Sequence, residues 1–216
     1  MKSGSIAQIA FIVFAALAVY GFVGAAQRDQ RRTSCTALCA FGPAYAGRNR
    51  VAPDFELKDM NGAPVKLSSF RGKTVFLNFW TKTCGPCLEE MSSLAELARI
   101  VKNRTDMVVL TVSTDEGPDD VRDTLKVTLN GETPFPVLFD PDSKIVVDKY
   151  GTHLFPETWI IDPKGVIRAR FDGARDWSAS LALEIGEMVQ RPGGCPVEFF
   201  KNLPRGTYAG VCEDDG

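Results

Sequence analysis

Histidine is almost missing from this chain. A single residue, His153, occurs among 216, which argues against a His-rich metal site and against a Ser-His-Asp triad. A basic stripe is missing too. The formal charge is −2, with 25 Lys and Arg against 27 Asp and Glu, so nothing points to nucleic acid. No internal repeat and no low-complexity segment is visible, which sets aside solenoids and disordered tracts. Charge vanishes altogether from residues 6–26, where Gln8 is the one amide. The hydrophobic fraction of 44% is enough for one ordinary domain with extensions.

A helix of about 20 apolar residues spans a bilayer, whereas a signal peptide has an apolar core of roughly 7–15 residues before a small-residue cleavage site. The length of the uncharged run favours an uncleaved signal-anchor over residues 1–26, although Gly24-Ala25-Ala26 also fits a cleavage site. A buried core helix would be expected to show a polar face, and this run has none. Two signals for orientation conflict. Lys2 precedes the run and Arg28, Arg31 and Arg32 follow it, so the positive-inside rule puts the following domain in the cytoplasm. Against this, the six cysteines are an even set and four lie outside the central motif, which suits an oxidising compartment. We follow the cysteines: a single pass through the inner (cytoplasmic) membrane, with the C-terminal domain on the periplasmic side.

Residues 27–50 show no periodicity and read as a tether carrying Cys35 and Cys39. The globular part is expected over 51–191. It opens with short strands around Phe55–Leu57 and Val65–Leu67, joined by Asn61-Gly62 turn chemistry. Thr74–Trp80 is a strongly apolar central strand. After it, Cys87, Met91, Leu94, Ala98 and Val101 recur at spacings of four and three, one buried stripe of a helix. Met107–Ser113 is a second buried strand, and strand-helix-strand in this order suggests a parallel unit. Further elements are a helix from Pro118 to Leu129, a strand at 135–139, a short helix at 143–150 and a hairpin around Pro163-Lys164-Gly165. A last helix at 178–190, with Leu181, Ile185 and Met188 inward, is stopped by Pro192-Gly193-Gly194. The tail, 192–216, holds Cys195 and Cys212. The order is that of an α/β thioredoxin fold: a mixed central sheet flanked by helices, with an N-terminal β-hairpin extension and a small central strand-helix insertion.

Cys84-Gly85-Pro86-Cys87 lies where the central strand gives way to the helix. A helix N-terminus carries partial positive charge and unsatisfied N–H groups, and CxxC thiols have pKa values lowered from about 8.5. Cys84 is therefore the expected nucleophile, with Lys82 as a nearby cation. Cys87, on the same face, resolves the mixed disulfide, and Pro86 limits backbone freedom between the two. Half a zinc site has the same spacing, but no second ligand pair has a convincing one, so no metal and no cofactor is expected. The outer cysteines are structural disulfide candidates. Either Cys35 pairs with Cys39 and Cys195 with Cys212, or the pairs cross and pin the tether to the tail. Trp80 packs beside the active site or as an ordinary core residue, and His153 reads as a loop histidine.

Ala52-Pro53-Asp54-Phe55-Glu56-Leu57, Leu67-Ser68-Ser69-Phe70-Arg71-Gly72-Lys73, Leu77-Asn78-Phe79-Trp80, Pro136-Val137-Leu138-Phe139-Asp140, Tyr150-Gly151 and Phe155-Pro156-Glu157-Thr158-Trp159 together resemble the TlpA/ResA/CcmG (DsbE)-like family of membrane-anchored, thioredoxin-like thiol-disulfide oxidoreductases. The resemblance covers about residues 51–190. It implies that Pro156 is a cis-proline facing the disulfide and that Glu90 sits below the thiols and tunes their protonation. Asn78 stands where cytoplasmic thioredoxins keep a buried Asp. The implied partners are client proteins with disulfides (apocytochrome c or copper-site proteins) and a membrane thiol donor of DsbD/CcdA type. Thr83 departs from the aromatic residue usual before the first cysteine, which affects groove shape and client choice. Two rival functions remain at this level. A peroxiredoxin-like thiol peroxidase shares Ala-Pro-Asp-Phe, but Leu77 stands where its motif has proline. A copper-binding assembly factor usually separates its cysteines by three residues, not two.

Overall fold

The computed structural model describes residues 3–44, 50–191 and 195–213. The expected stop at Pro192-Gly193-Gly194, residues 45–49 of the tether, and Met1-Lys2 lie outside the described residues.

The sheet is organised by β3 (Thr74–Trp80), whose seven side chains are all buried. Complete burial on both faces is why this strand reads as a continuous apolar run. Its alternation sorts the core. Phe76 and Trp80 enter the cluster built with α2 (Gly85–Val101), while Val75, Leu77 and Phe79 enter the cluster on the opposite face. Asn78 therefore falls on the α2 face, between Phe76 and Trp80.

β4 (Met107–Ser113) pairs parallel with β3, as the strand-helix-strand reading requires. α3 (Pro118–Leu129) leads to β5 (Val137–Phe139), parallel to β4. A π-helical turn over Lys144–Lys149 follows, and the closing hairpin is β6 (Glu157–Ile161) and β7 (Ile167–Asp172). β6 runs antiparallel to β3, with Asn78 opposite Thr158 and Phe79 opposite Glu157. The extension hairpin β1 (Glu56–Asp59) and β2 (Pro64–Lys66) completes the seven-stranded order β2-β1-β5-β4-β3-β6-β7. Asp59 closes its turn by accepting from the amides of Asn61 and Ala63 at 2.8 and 2.9 Å, with Gly62 at φ +80°. α4 (Ser180–Met188) packs Ala182, Ile185 and Met188 inward; Leu181 is only half-buried.

Two segments differ from the sequence-based expectation. The stretch after the apolar run does not unravel into an aperiodic tether. Helix α1 continues without a break from Ser3 to Phe41. Disulfides Cys35–Cys195 and Cys39–Cys212 fix its last turns to the tail, and Cys35, Ala37 and Leu38 are buried against the domain. The crossed pairing is the one that pins this segment. The tail itself is not featureless: β8 (Glu198–Phe200) and β9 (Leu203–Arg205) form a hairpin. Lys201 and Asn202 sit at its tip with φ of 49° and 66°, the left-handed pair that a two-residue turn demands. Among the described residues, one helical stretch, Gln8–Thr33, is long and apolar enough to cross a membrane, with mean hydropathy 2.4.

Candidate active site

Cys84 is the N-cap of α2, with Gly85 and Pro86 in its first turn. Pro86 at this position gives up no helical hydrogen bond. The Cys84 and Cys87 sulfurs are joined in a disulfide. Cys84 Sγ also accepts from the Cys87 amide at 3.2 Å, so the helix end already directs an N–H at this sulfur. The two cysteines differ in access: Cys84 is half-buried, while Cys87 is fully buried. The loop feeding them is held by Asp115, which accepts from Thr81 Oγ1 and the Lys82 amide, each at 2.8 Å. The Lys82 ammonium pairs with Asp120 on α3, so its charge is shared with that carboxylate. Thr83 is exposed.

Glu90 lies one turn past Cys87 on the same buried face and is only 3% exposed. Its Oε1 accepts from Asn78 Nδ2 at 2.7 Å. Its Oε2 accepts from the Trp177 indole N–H at 3.1 Å and the Arg175 amide at 3.0 Å. Burial pushes Glu90 up to about 7, although these three donors and the Arg175 charge pull the other way. The carboxyl can thus exchange a proton near neutrality. Asn78 also donates to Thr158 Oγ1 at 2.9 Å, and its buried Oδ1 has no partner among the described residues. Turned over, the same amide presents that oxygen to a neutral acid, so Asn78 suits both protonation states of Glu90.

Antiparallel pairing places the start of β6 beside the end of β3, which brings the loop before β6 to the same end of the sheet as Cys84. The Phe155–Pro156 bond in that loop is cis, and Pro156 is buried. His153 and Leu154 are exposed on the same loop, Leu154 to 81%. Trp80 is fully buried in the cluster that contains Cys87 and Met91.

Residues 49–170 match the AhpC/TSA family. The chain is 32% identical over 140 residues to the thiol-disulfide oxidoreductase ResA of Bacillus subtilis (strain 168), covering 60% of this chain and 75% of that protein. The chain belongs to the AhpC/TSA family, as a thiol-disulfide oxidoreductase of ResA type. A second relative, ResA of Geobacillus kaustophilus (strain HTA426), is 35% identical over 123 residues, 57% of this chain and 68% of the relative. Among solved structures, the thiol:disulfide interchange protein DsbE from Chlorobium tepidum aligns with a TM-score of 0.55 at 30% identity, over 65% of this chain and 94% of that one. A protein disulfide isomerase from Bacteroides thetaiotaomicron aligns with a TM-score of 0.58 at 30% identity, over 68% and 93%.

Sequence reasoning singled out Cys84, Cys87, Glu90 and Pro156 in this ResA-type oxidoreductase but passed over Arg175 and Trp177. Trp177 is fully buried and packs on Phe41, Phe171 and Phe76 with ring centroids 5.6, 5.5 and 6.1 Å away. The one signal available was a tryptophan in an otherwise polar stretch between a strand and a helix. Through Phe41, the aromatic group that holds Glu90 also touches the end of α1.

Proposed function

We propose that the chain is a membrane-tethered, extracytoplasmic reductase of client-protein disulfides, with Cys84 as nucleophile and Cys87 as resolving thiol. The observation that carries the assignment is the asymmetry of the pair: Cys84 is partly accessible at the helix N-terminus, and Cys87 is sealed behind it beside Glu90. In the reduced enzyme the Cys84 thiolate attacks one sulfur of a client disulfide. That bond breaks, a mixed disulfide forms and one client thiolate leaves. Cys87 gives up its proton, with Glu90 one turn away as the acceptor. The Cys87 thiolate then attacks Cys84 Sγ, releasing the second client thiolate and leaving the Cys84–Cys87 disulfide. Two electrons have passed to the client, and a membrane thiol donor of DsbD/CcdA type returns them. The apolar run of α1 supports the anchor, with 1–26 as its signal-anchor segment. The two further disulfides support an oxidising, periplasmic location. The clients that fit this reading are apocytochrome c or copper-site proteins.

Titrating the Cys84/Cys87 pair against a thiol redox buffer, with peroxide turnover assayed on the same sample, tests the proposal. A strongly reducing pair with no peroxide consumption is expected. Fast peroxide consumption lost in Cys84→Ser would instead make the protein a peroxidase.

A further inference from the structure

One buried acid is not used by the thiol chemistry. Glu157 directly follows cis-Pro156 at the start of β6 and is only 5% exposed. It stands opposite Asp172 in the β6–β7 register, and like charges directly opposite each other destabilise a strand pair. Along its own strand the same face continues with Trp159 and Ile161, members of the apolar cluster on the side of the sheet away from α2. Burial pushes the Glu157 carboxyl up; the Thr152 hydroxyl and the Arg170 charge pull it down, and Asp172 adds to the upward push. An apolar side chain would fill this position at lower cost, so burial alone does not account for an acid here.

What the carboxyl does is close a loop. Its Oε1 accepts from Thr152 Oγ1 at 2.6 Å, and Thr152 is fully buried. That bond ties together the two ends of the segment holding His153, Leu154, Phe155 and Pro156. The rest of the frame is backbone. The Thr152 amide donates to the Val146 carbonyl at 3.0 Å, and the Pro156 carbonyl accepts from the Gly173 amide at 2.9 Å. Between these points two side chains are exposed, His153 and Leu154. Phe155 is half-buried, and both it and Cys84 pack against the cluster that contains Cys87. The closed loop thus stands at the Cys84 end of the sheet with an apolar side chain in the open. A polypeptide whose disulfide reaches Cys84 meets this loop, whereas a small disulfide need not.

We propose that Glu157 is a positioning residue for client capture. Through the Thr152 hydroxyl it holds the loop in the shape that presents Leu154 and Pro156 to a client polypeptide whose disulfide is at Cys84. The contact it supports is with the client chain around the cysteine, not with the sulfurs. The proposal rests on the reading of Cys84 as the thiol that attacks clients.

The test compares two substrates on the reduced, full-length protein in detergent. One is a short disulfide-closed peptide with leucine beside a cysteine; the other is hydroxyethyl disulfide. The readout is the ratio of the two second-order rate constants, peptide over small disulfide. Thr152→Val keeps the branched shape and removes the donor, and should lower the ratio about tenfold, the effect of one lost hydrogen bond. Thr152→Ser keeps the donor and should restore the ratio. Glu157→Leu should lower it as Thr152→Val does, and the double variant should lower it no further. Should Glu157→Leu fail to fold, the Val and Ser variants at 152 still decide. Rate constants that fall together in Thr152→Val, leaving the ratio unchanged, would make the bond merely structural and overturn the proposal. So would a Thr152→Ser protein that behaves like Thr152→Val, or single effects that multiply in the double variant. The Cys84 reading fails separately, if Cys84→Ser keeps its reactivity toward both disulfides.

Discussion

Replacing Glu90 with glutamine should flatten a pH dependence that this one side chain imposes on stability. Burial carries the carboxyl from 4.5 to about 7 in the oxidised protein. The folded state therefore holds its proton more tightly than the unfolded chain does. Below about pH 4.5 both states are protonated and the contribution is fully present; as pH rises toward 7 the unfolded chain releases the proton first, and stability falls. Above about 7 both are ionised and the loss is complete. At about 1.4 kcal/mol per pH unit, the loss amounts to roughly 3 kcal/mol. Glutamine removes the titration and keeps one oxygen to accept from the Trp177 indole and the Arg175 amide, but its NH2 then faces the Asn78 amide, which has to turn over to accept from it. That exchange costs about 1 kcal/mol at every pH. The slope of the difference, not its offset, is thus the readout. Urea unfolding of oxidised wild type and Glu90→Gln should be followed from pH 4.5 to 8. Wild type should lose roughly 3 kcal/mol relative to the variant across that range, with the other titrating groups cancelling. A difference that stays flat with pH would refute the reasoning.

Trp177→Phe keeps the aromatic contacts but removes one donor to Glu90 Oε2; losing about 1.5 kcal/mol of charge-assisted hydrogen bond should move the Glu90 midpoint up by about one pH unit, measured by the same comparison. Leu94→Ala, at a fully buried position of α2, should cost about 2–5 kcal/mol in denaturant melts. Cys35→Ser/Cys195→Ser opens a loop with a sequence separation of 160 and should cost about 2–5 kcal/mol. Because those sulfurs lie outside the active-site pair, the redox titration of Cys84/Cys87 should not move.

Where the physics is local, it was legible. β3 and α2 could be read because their burial imposes a run of apolar residues and a stripe at helical spacing, and CGPC sits at their junction. Asn78 could be placed near Glu90 once β3 was known to alternate, because Phe76 and Trp80 fix which face it takes. The end of α1 could not be read. Residues 27–41 lack an apolar period because much of what holds them is covalent, through Cys195 and Cys212, more than 150 residues downstream. Six cysteines announce cross-links but not their partners. The β8–β9 hairpin escaped notice because its strands are three residues each, too short for alternation to show. Trp177 escaped because its role exists only where Phe41, Phe76, Phe171 and Glu90 converge, and those residues are distant in sequence.

The most direct test of the central claim is which cysteine a client disulfide captures. Cys84→Ser and Cys87→Ser proteins, each exposed to a disulfide-bearing client peptide, should be digested under non-reducing conditions and mapped by mass. The account predicts a stable mixed disulfide on Cys84 in the Cys87→Ser protein and little adduct on the buried Cys87 in the Cys84→Ser protein. Capture by Cys87 at a comparable rate would contradict it.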